Sequence, residues 1–129
     1  MALELDVWRD EAVTTMVVDQ PDDGDVARAL DCLDERTHTE LTILGDDGQY
    51  LSIGGGNGRY HVYIASDEHD DSIVLQAGGS DVADSPVVLA IGGRTVQLPA
   101  RSVVGRAEAA RAARWFLTNG RPDPGQSWR

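Results

Sequence analysis

The sequence predicts an α+β fold: a mainly antiparallel sheet of about six to seven strands, with two helices near 25–36 and 106–119 packed against it. Three observations predict it. Short β-branched segments succeed one another across short turns, which favours antiparallel pairing. Two segments, one early and one late, instead carry apolar residues at helical spacing. The chain has 129 residues, 41% of them hydrophobic, which suits a single domain over 1–129 with one core.

The elements follow in order. EAVTTMVVD is rich in β-branched residues and reads as a strand. QPDDGD breaks it, and Asp22 or Asp23 can cap the helix that follows, with Asp25 in the first turn. From Asp25 to about Arg36, Val26, Ala29, Leu30 and Leu33 form one apolar stripe, with Asp31, Asp34 and Glu35 off it. ELTILG and QYLSIGG flank Asp47-Gly48, a favoured hairpin turn. RYHVYIA alternates, with Tyr60, Val62 and Ile64 on one side and His61, Tyr63 and Ala65 on the other. SIVLQA, PVVLAIG and TVQLPA complete the strands, the last two joined by Gly92-Gly93. From Arg106 to Asn119, Ala109, Ala112, Ala113 and Phe116 form a narrow face able to lie close to a sheet, and Arg111 and Arg114 point away from it. Gly105 is a tolerable N-cap, Gly120 a C-terminal stop, and Pro122 and Pro124 follow.

Candidate chemical motifs are weak. GGGNGR at 54–59 leads into a strand rather than a helix, so it reads as a hairpin turn or bulge and not as a phosphate loop. SDEHDDS at 66–72 gathers four carboxylates and His69, but without the ligand alternation or glycine of a calcium loop. It reads as a solvated loop or as a patch for a basic partner. His38, His61 and His69 follow no metal-ligand spacing, and Ser52, Ser66, Ser72 and Ser80 lie in no nucleophile elbow. Cys32, the one cysteine, cannot form an internal disulfide and reads as a core or flank residue of the first helix. The expectation is therefore no enzyme, no metal and no cofactor.

Charge is more informative. Net charge is −11, and every base is arginine. Residues 1–93 hold 20 acids against four arginines, a net of −16, while 94–129 hold two acids against seven arginines, a net of +5. Such a surface repels nucleic acid and anionic membranes and speeds encounter with basic proteins. No apolar run is long enough to span a bilayer, and MALELDVWRDEA carries acids where a secretion signal has bases, so a cytoplasmic location is expected.

The ending RAEAARAARWFLTNGRPDPGQSW resembles that of a bacterial immunity-protein family, Imm-one, from polymorphic toxin systems. The resemblance rests on Ala109, Ala112, Phe116, Gly120, Pro122 and Trp128, and on the order of elements upstream, including GGGNGRYHVY. It implies a protein that neutralises a cognate toxin domain, often a nucleic-acid-directed deaminase or nuclease. An enzyme of that kind needs a basic groove, which an acidic inhibitor can mask. The partner face expected here comprises Asp46, Asp47, Asp67, Glu68, Asp70 and Asp71, with Tyr60 or Tyr63 as an anchor. The rival face is the first helix, with Asp31, Asp34 and Glu35. Two other functions stay open: an acidic binding module for some other basic protein, and a small enzyme using the 66–71 cluster. Trp128 is expected to be structural, packing near Phe116.

Overall fold

The computed structural model describes residues 1–67, 69–78 and 85–129, with His69 and Asp70 described by their backbone alone. The elements are β1 (Ala2–Arg9), β2 (Ala12–Asp19), α1 (Asp23–Cys32), β3 (Glu40–Leu44), β4 (Gln49–Gly56), β5 (Arg59–Ser66), β6 (His69–Val74), β7 (Val87–Ile91), β8 (Arg94–Leu98), a 3-10 turn (Ala100–Ser102) and α2 (Arg106–Asn119). Six strands form one antiparallel sheet in the order β2-β1-β3-β4-β5-β6, and β7 and β8 form a separate hairpin. The α+β reading and both helices are therefore borne out.

Both helices cover one face of the sheet. Strand alternation sends Leu3, Leu5, Leu41, Ile43, Leu51, Ile53, Val62 and Ile64 to that face, where all are buried. Val26, Ala29 and Leu30 from α1 meet them, with Ala109, Ala112, Ala113 and Phe116 from α2. The alanines let α2 approach β4 and β5 closely, and Phe116, fully buried, supplies the bulk. Gly120 ends α2 at φ 68°, the left-handed conformation open to glycine at little cost.

Three features depart from the sequence reading. The first strand, Ala2–Arg9, was not anticipated, yet it sits inside the sheet between β2 and β3. The first helix stops at Cys32 rather than near 36. There the Asp34 carboxylate accepts the N–H groups of Arg36, Thr37 and His38 at 2.9–3.0 Å, and Glu35 turns to φ 63°. A side chain that satisfies three backbone donors offers the chain an alternative to another helical turn. The strand expected from Ser72 begins at His69, so part of the 66–72 segment is strand rather than loop.

The capping expectation is met by a full capping box. Asp22 accepts the Asp25 N–H at 2.8 Å, and Asp25 accepts the Asp22 N–H at 3.0 Å. The Gly-rich stretch is a turn with a packing role. Asn57 and Gly58, at φ 56° and 85°, make the tight hairpin turn, while Gly54 and Gly55 carry the β7–β8 hairpin. The last residues cover the C-terminal end of the β6 edge. Trp128 bridges to Leu75, Arg129 and Val74 exchange backbone hydrogen bonds, and the Trp128 Nε1–H donates to the Asp123 carbonyl at 3.1 Å. The indole is half-buried against the core cluster that contains Phe116.

Candidate functional site

The face of the sheet away from the helices carries the candidate site. Register lays its side chains out in rows across the strands. One row is Val17, Glu4, Thr42, Ser52, Tyr63 and Val74. The next row toward the turns is Asp19, Ala2, Leu44, Tyr50, Ala65 and Ser72. Tyr50 and Tyr63 meet edge to face with centroids 6.2 Å apart, and His61 stands 6.0 Å from Tyr63. Beneath the rings, the Thr42 and Ser52 hydroxyls bond at 2.8 Å. Burial is the main cause raising the Tyr63 pKa, with Glu40 and Tyr50 adding to it and a hydrogen bond from Ser52 opposing. Tyr63 is thus a neutral, half-buried ring with a polar tip, the kind of side chain that anchors interfaces.

The β7–β8 hairpin covers the other half of this face. Its turn residue Gly93 packs against the Trp8 indole, and Ile91 sits over Gly54. Asp6 organises this region. Its carboxylate accepts the Thr39 N–H at 2.7 Å, the Glu40 N–H at 2.9 Å, the Trp8 Nε1–H at 2.7 Å and the Thr39 hydroxyl. The Gly93 N–H in turn donates to the Thr39 hydroxyl at 3.1 Å. Glu35 reaches in from the loop after α1 and accepts the Ala90 N–H at 3.0 Å. Burial raises the pKa of Glu40, the Asp6 charge adds to it, and Arg94 opposes.

Beyond Tyr50 the sheet ends in acidic turns. Asp46 and Asp47 occupy the β3–β4 turn, and Asp67 the β5–β6 turn; all three are exposed. The turns touch, because the Asp67 N–H donates to the Gly48 carbonyl at 3.1 Å. The end of β2 and the start of α1 come to the same end, bringing Asp19, Asp22 and Asp23. Positive groups sit among them: the Met1 amino group stands 2.8 Å from the Asp46 carboxylate, and Asp23 shares a hollow with Arg111 and Arg114.

The residues singled out from sequence fall into three groups. Asp46, Asp47 and Asp67 come together, and Tyr63 lies on the face beside them. Asp71 is exposed but lines a shallow hollow with Ile73 and Pro122, at the rim of the helix side. Glu68 lies outside the described residues, as do the side chains of Asp70 and His69. Tyr60 belongs to none of these groups. It is a core residue, 4% exposed, paired through its backbone with Val104, and so is no surface anchor. The rival acidic helix face does not form either. Asp34 caps its own loop and Glu35 is turned to the hairpin, leaving Asp31 in an ion pair with Arg106. That pair ties the basic C-terminal part to the acidic body. Sequence reasoning missed Tyr50, Glu4 and Glu40, whose signal was the alternation of their own strands.

Cys32 is exposed, not a core residue. Among the described residues, no group of three His, Cys, Asp or Glu side chains is placed to hold a metal ion, and no helix is long and apolar enough to cross a membrane.

Comparison with known proteins gives the family and the fold. The family model described as "Immunity protein Imm1" matches residues 4–129, nearly the whole chain. A crystal structure of a hypothetical protein from Neisseria gonorrhoeae superposes with a TM-score of 0.61 at 12% identity, over 95% of this chain and 90% of that one. At that identity the likeness is one of fold. No curated protein sequence matches the chain.

Proposed function

The chain belongs to the Imm1 immunity protein family, and from that premise we propose that it neutralises its toxin with the open half of the sheet face and the acidic turns beside it. In this reading Tyr63 and Tyr50 are the desolvated anchors, and Asp46, Asp47 and Asp67 form the charged rim, with Asp71 at its margin. The toxin surface is basic, and the toxin acts on nucleic acid as a deaminase or nuclease. Carboxylates then take the place of backbone phosphates as partners for its arginines and lysines. The inhibitor does no chemistry, needs no metal or cofactor, and works in the cytoplasm as a single domain that binds neither nucleic acid nor membrane.

The observation that carries this reading is the meeting of the two acidic turns through Asp67 and Gly48, next to an aromatic pair without a second layer among the described residues. Steering by exposed charge sets on-rate and salt dependence, while the buried rings set the lifetime of the complex. The test is co-purification with the toxin domain encoded beside this chain, followed by association kinetics across a salt series. Reversing Asp46, Asp47 and Asp67 to lysine is expected to slow association and flatten its salt dependence. Unchanged kinetics in the triple variant would remove this face from consideration.

A further inference from the structure

The two edges of the six-stranded sheet are treated differently. The C-terminal end of β6 is covered by the chain itself: Arg129 pairs with Val74, and the Gln76 N–H just beyond the strand donates to the Ser127 carbonyl at 2.8 Å. β2 is the opposite edge and has no neighbour beyond β1 among the described residues. It is eight residues long, and the stretch AVTTMVV from Ala12 to Val18 carries no charge. Val13, Met16 and Val17 are 49%, 47% and 53% exposed, and neither helix packs on the strand in force. Proteins usually blunt such an edge with lysine, proline or a bulge. None of these interrupts β2.

Register fixes which backbone groups are free. The Gln20 N–H donates to the Met1 carbonyl, so alternate residues Val18, Met16, Thr14 and Ala12 bond to β1. Val13, Thr15 and Val17 therefore turn their N–H and C=O groups outward. Acids stand at both ends of this row. Asp10 and Glu11 stand at one, in a hollow shared with Arg36 and Arg94. Asp19, Asp22 and Asp23 stand at the other, where Asp23 faces Arg111 and Arg114 while Asp19 lies at the strand end itself.

We propose that β2 is a docking strand, which takes up an extended segment of the partner by main-chain pairing, the segment having an uncharged β-forming centre and basic residues at both ends. Charge selects this occupant over a second copy of the chain. Antiparallel self-pairing sets Asp10 and Glu11 of one copy beside Asp19 of the other, parallel self-pairing sets each acid beside its own kind, and both bring together two bodies of net charge −11. A basic-ended segment meets carboxylates at both ends instead, while its backbone takes up the outward groups of Val13, Thr15 and Val17. The proposal rests on the toxin-binding reading and adds to it a mode of recognition and the chemistry of the recognised segment.

The probe is a synthetic peptide of alternating valine and threonine with Lys-Arg ends, titrated into the full chain and followed by amide hydrogen exchange. The amides of Val13, Thr15 and Val17 are expected to exchange about tenfold more slowly on binding, with an effect that fades as salt rises. The same peptide with Glu-Asp ends is expected to leave them unchanged. Equal protection by both peptides, or protection at other amides only, overturns the proposal. So does protection of these amides without peptide in a concentration-dependent dimer, which assigns the edge to a second copy. Two variants keep the fold question separate. Thr15→Pro removes an outward N–H at an edge position that tolerates proline, and the pair Val13→Lys and Val17→Lys leaves the backbone intact. Both are expected to lose the basic-ended peptide at unchanged circular dichroism; retention in the lysine pair overturns the proposal. With the toxin as probe, equal capture by parent and lysine pair sinks the edge and spares the immunity reading. No capture by the parent sinks that reading, and the peptide result still decides the edge.

Discussion

Gly54 lies directly beneath Ile91, so close that a β-carbon at position 54 would overlap the isoleucine side chain. This contact seats the β7–β8 hairpin on the sheet and divides the open face into a covered and a bare half. Gly54→Val is expected to lift the hairpin and cost about 1–3 kcal/mol, the usual scale of overpacking. Urea denaturation measures the loss. A stability equal to the parent's would show that the hairpin yields freely.

Asp34 gives a pH signature. Burial acts to raise its pKa, but hydrogen bonds from the His38, Arg36 and Thr37 backbone and from the Thr37 hydroxyl outweigh it and hold the carboxyl at about 2, below the ordinary 3.8. A carboxyl depressed by folding stabilises above its unfolded value, and that contribution is lost as pH falls through the folded value. Asp34→Ala is expected to cost about 1 kcal/mol at neutral pH, as for a lost cap. The gap between parent and variant should close as pH falls from 3.8 toward about 2. A gap constant across that window would mean the carboxylate charge is not what closes the loop.

Trp128 is half-buried, so its truncation should cost less than that of Phe116, which is fully buried. About 2 kcal/mol is expected for Trp128→Ala, against about 3–5 kcal/mol for Phe116→Ala. Removing residues 121–129 should lower the melting temperature further, because the backbone pairs with Val74 and Gln76 go with it. An unchanged melting curve would show the tail to be dispensable.

Tyr60 and Tyr63, three positions apart, should behave oppositely. Tyr60→Ala empties a core site and should cost about 3 kcal/mol of stability. Tyr63→Ala should leave the melting temperature nearly intact and weaken toxin binding by about 2 kcal/mol, the scale of an interface anchor. Calorimetric melting and titration read the two losses separately. Equal binding by the Tyr63 variant would shift the anchor to Tyr50.

The contrast between these tyrosines shows what the sequence made legible. Alternation in RYHVYIA already divides Tyr60 from Tyr63, so the period of two lets only one of them face outward. The same period in LELDVW marks β1, a strand inside the sheet, although its acids also make the stretch look like a polar lead-in. α2 was legible at both ends, because Gly105 and Gly120 punctuate a clean apolar stripe. α1 was overextended, because Leu33 continues the stripe while the decisive signal was Asp34 gathering the amides of residues 36–38. The acidic turns were readable as turns. Their meeting through Asp67 and Gly48 was not, since pairing partners distant in sequence are set by the whole sheet.

The pairing of Trp128 with Leu75 also bears on how the chain acquires its shape during synthesis. Strands β1 and β2 are made before β6 and can pair as a local hairpin, whereas the end of β6 stays open until residues 127–129 emerge. Between those two events the nascent sheet exposes both margins, and the arrival of residues 127–129 covers the end of one of them. A ribosome stalled before Ser127 would hold a chain with two sticky sides, so chaperone demand should fall once residues 127–129 have emerged.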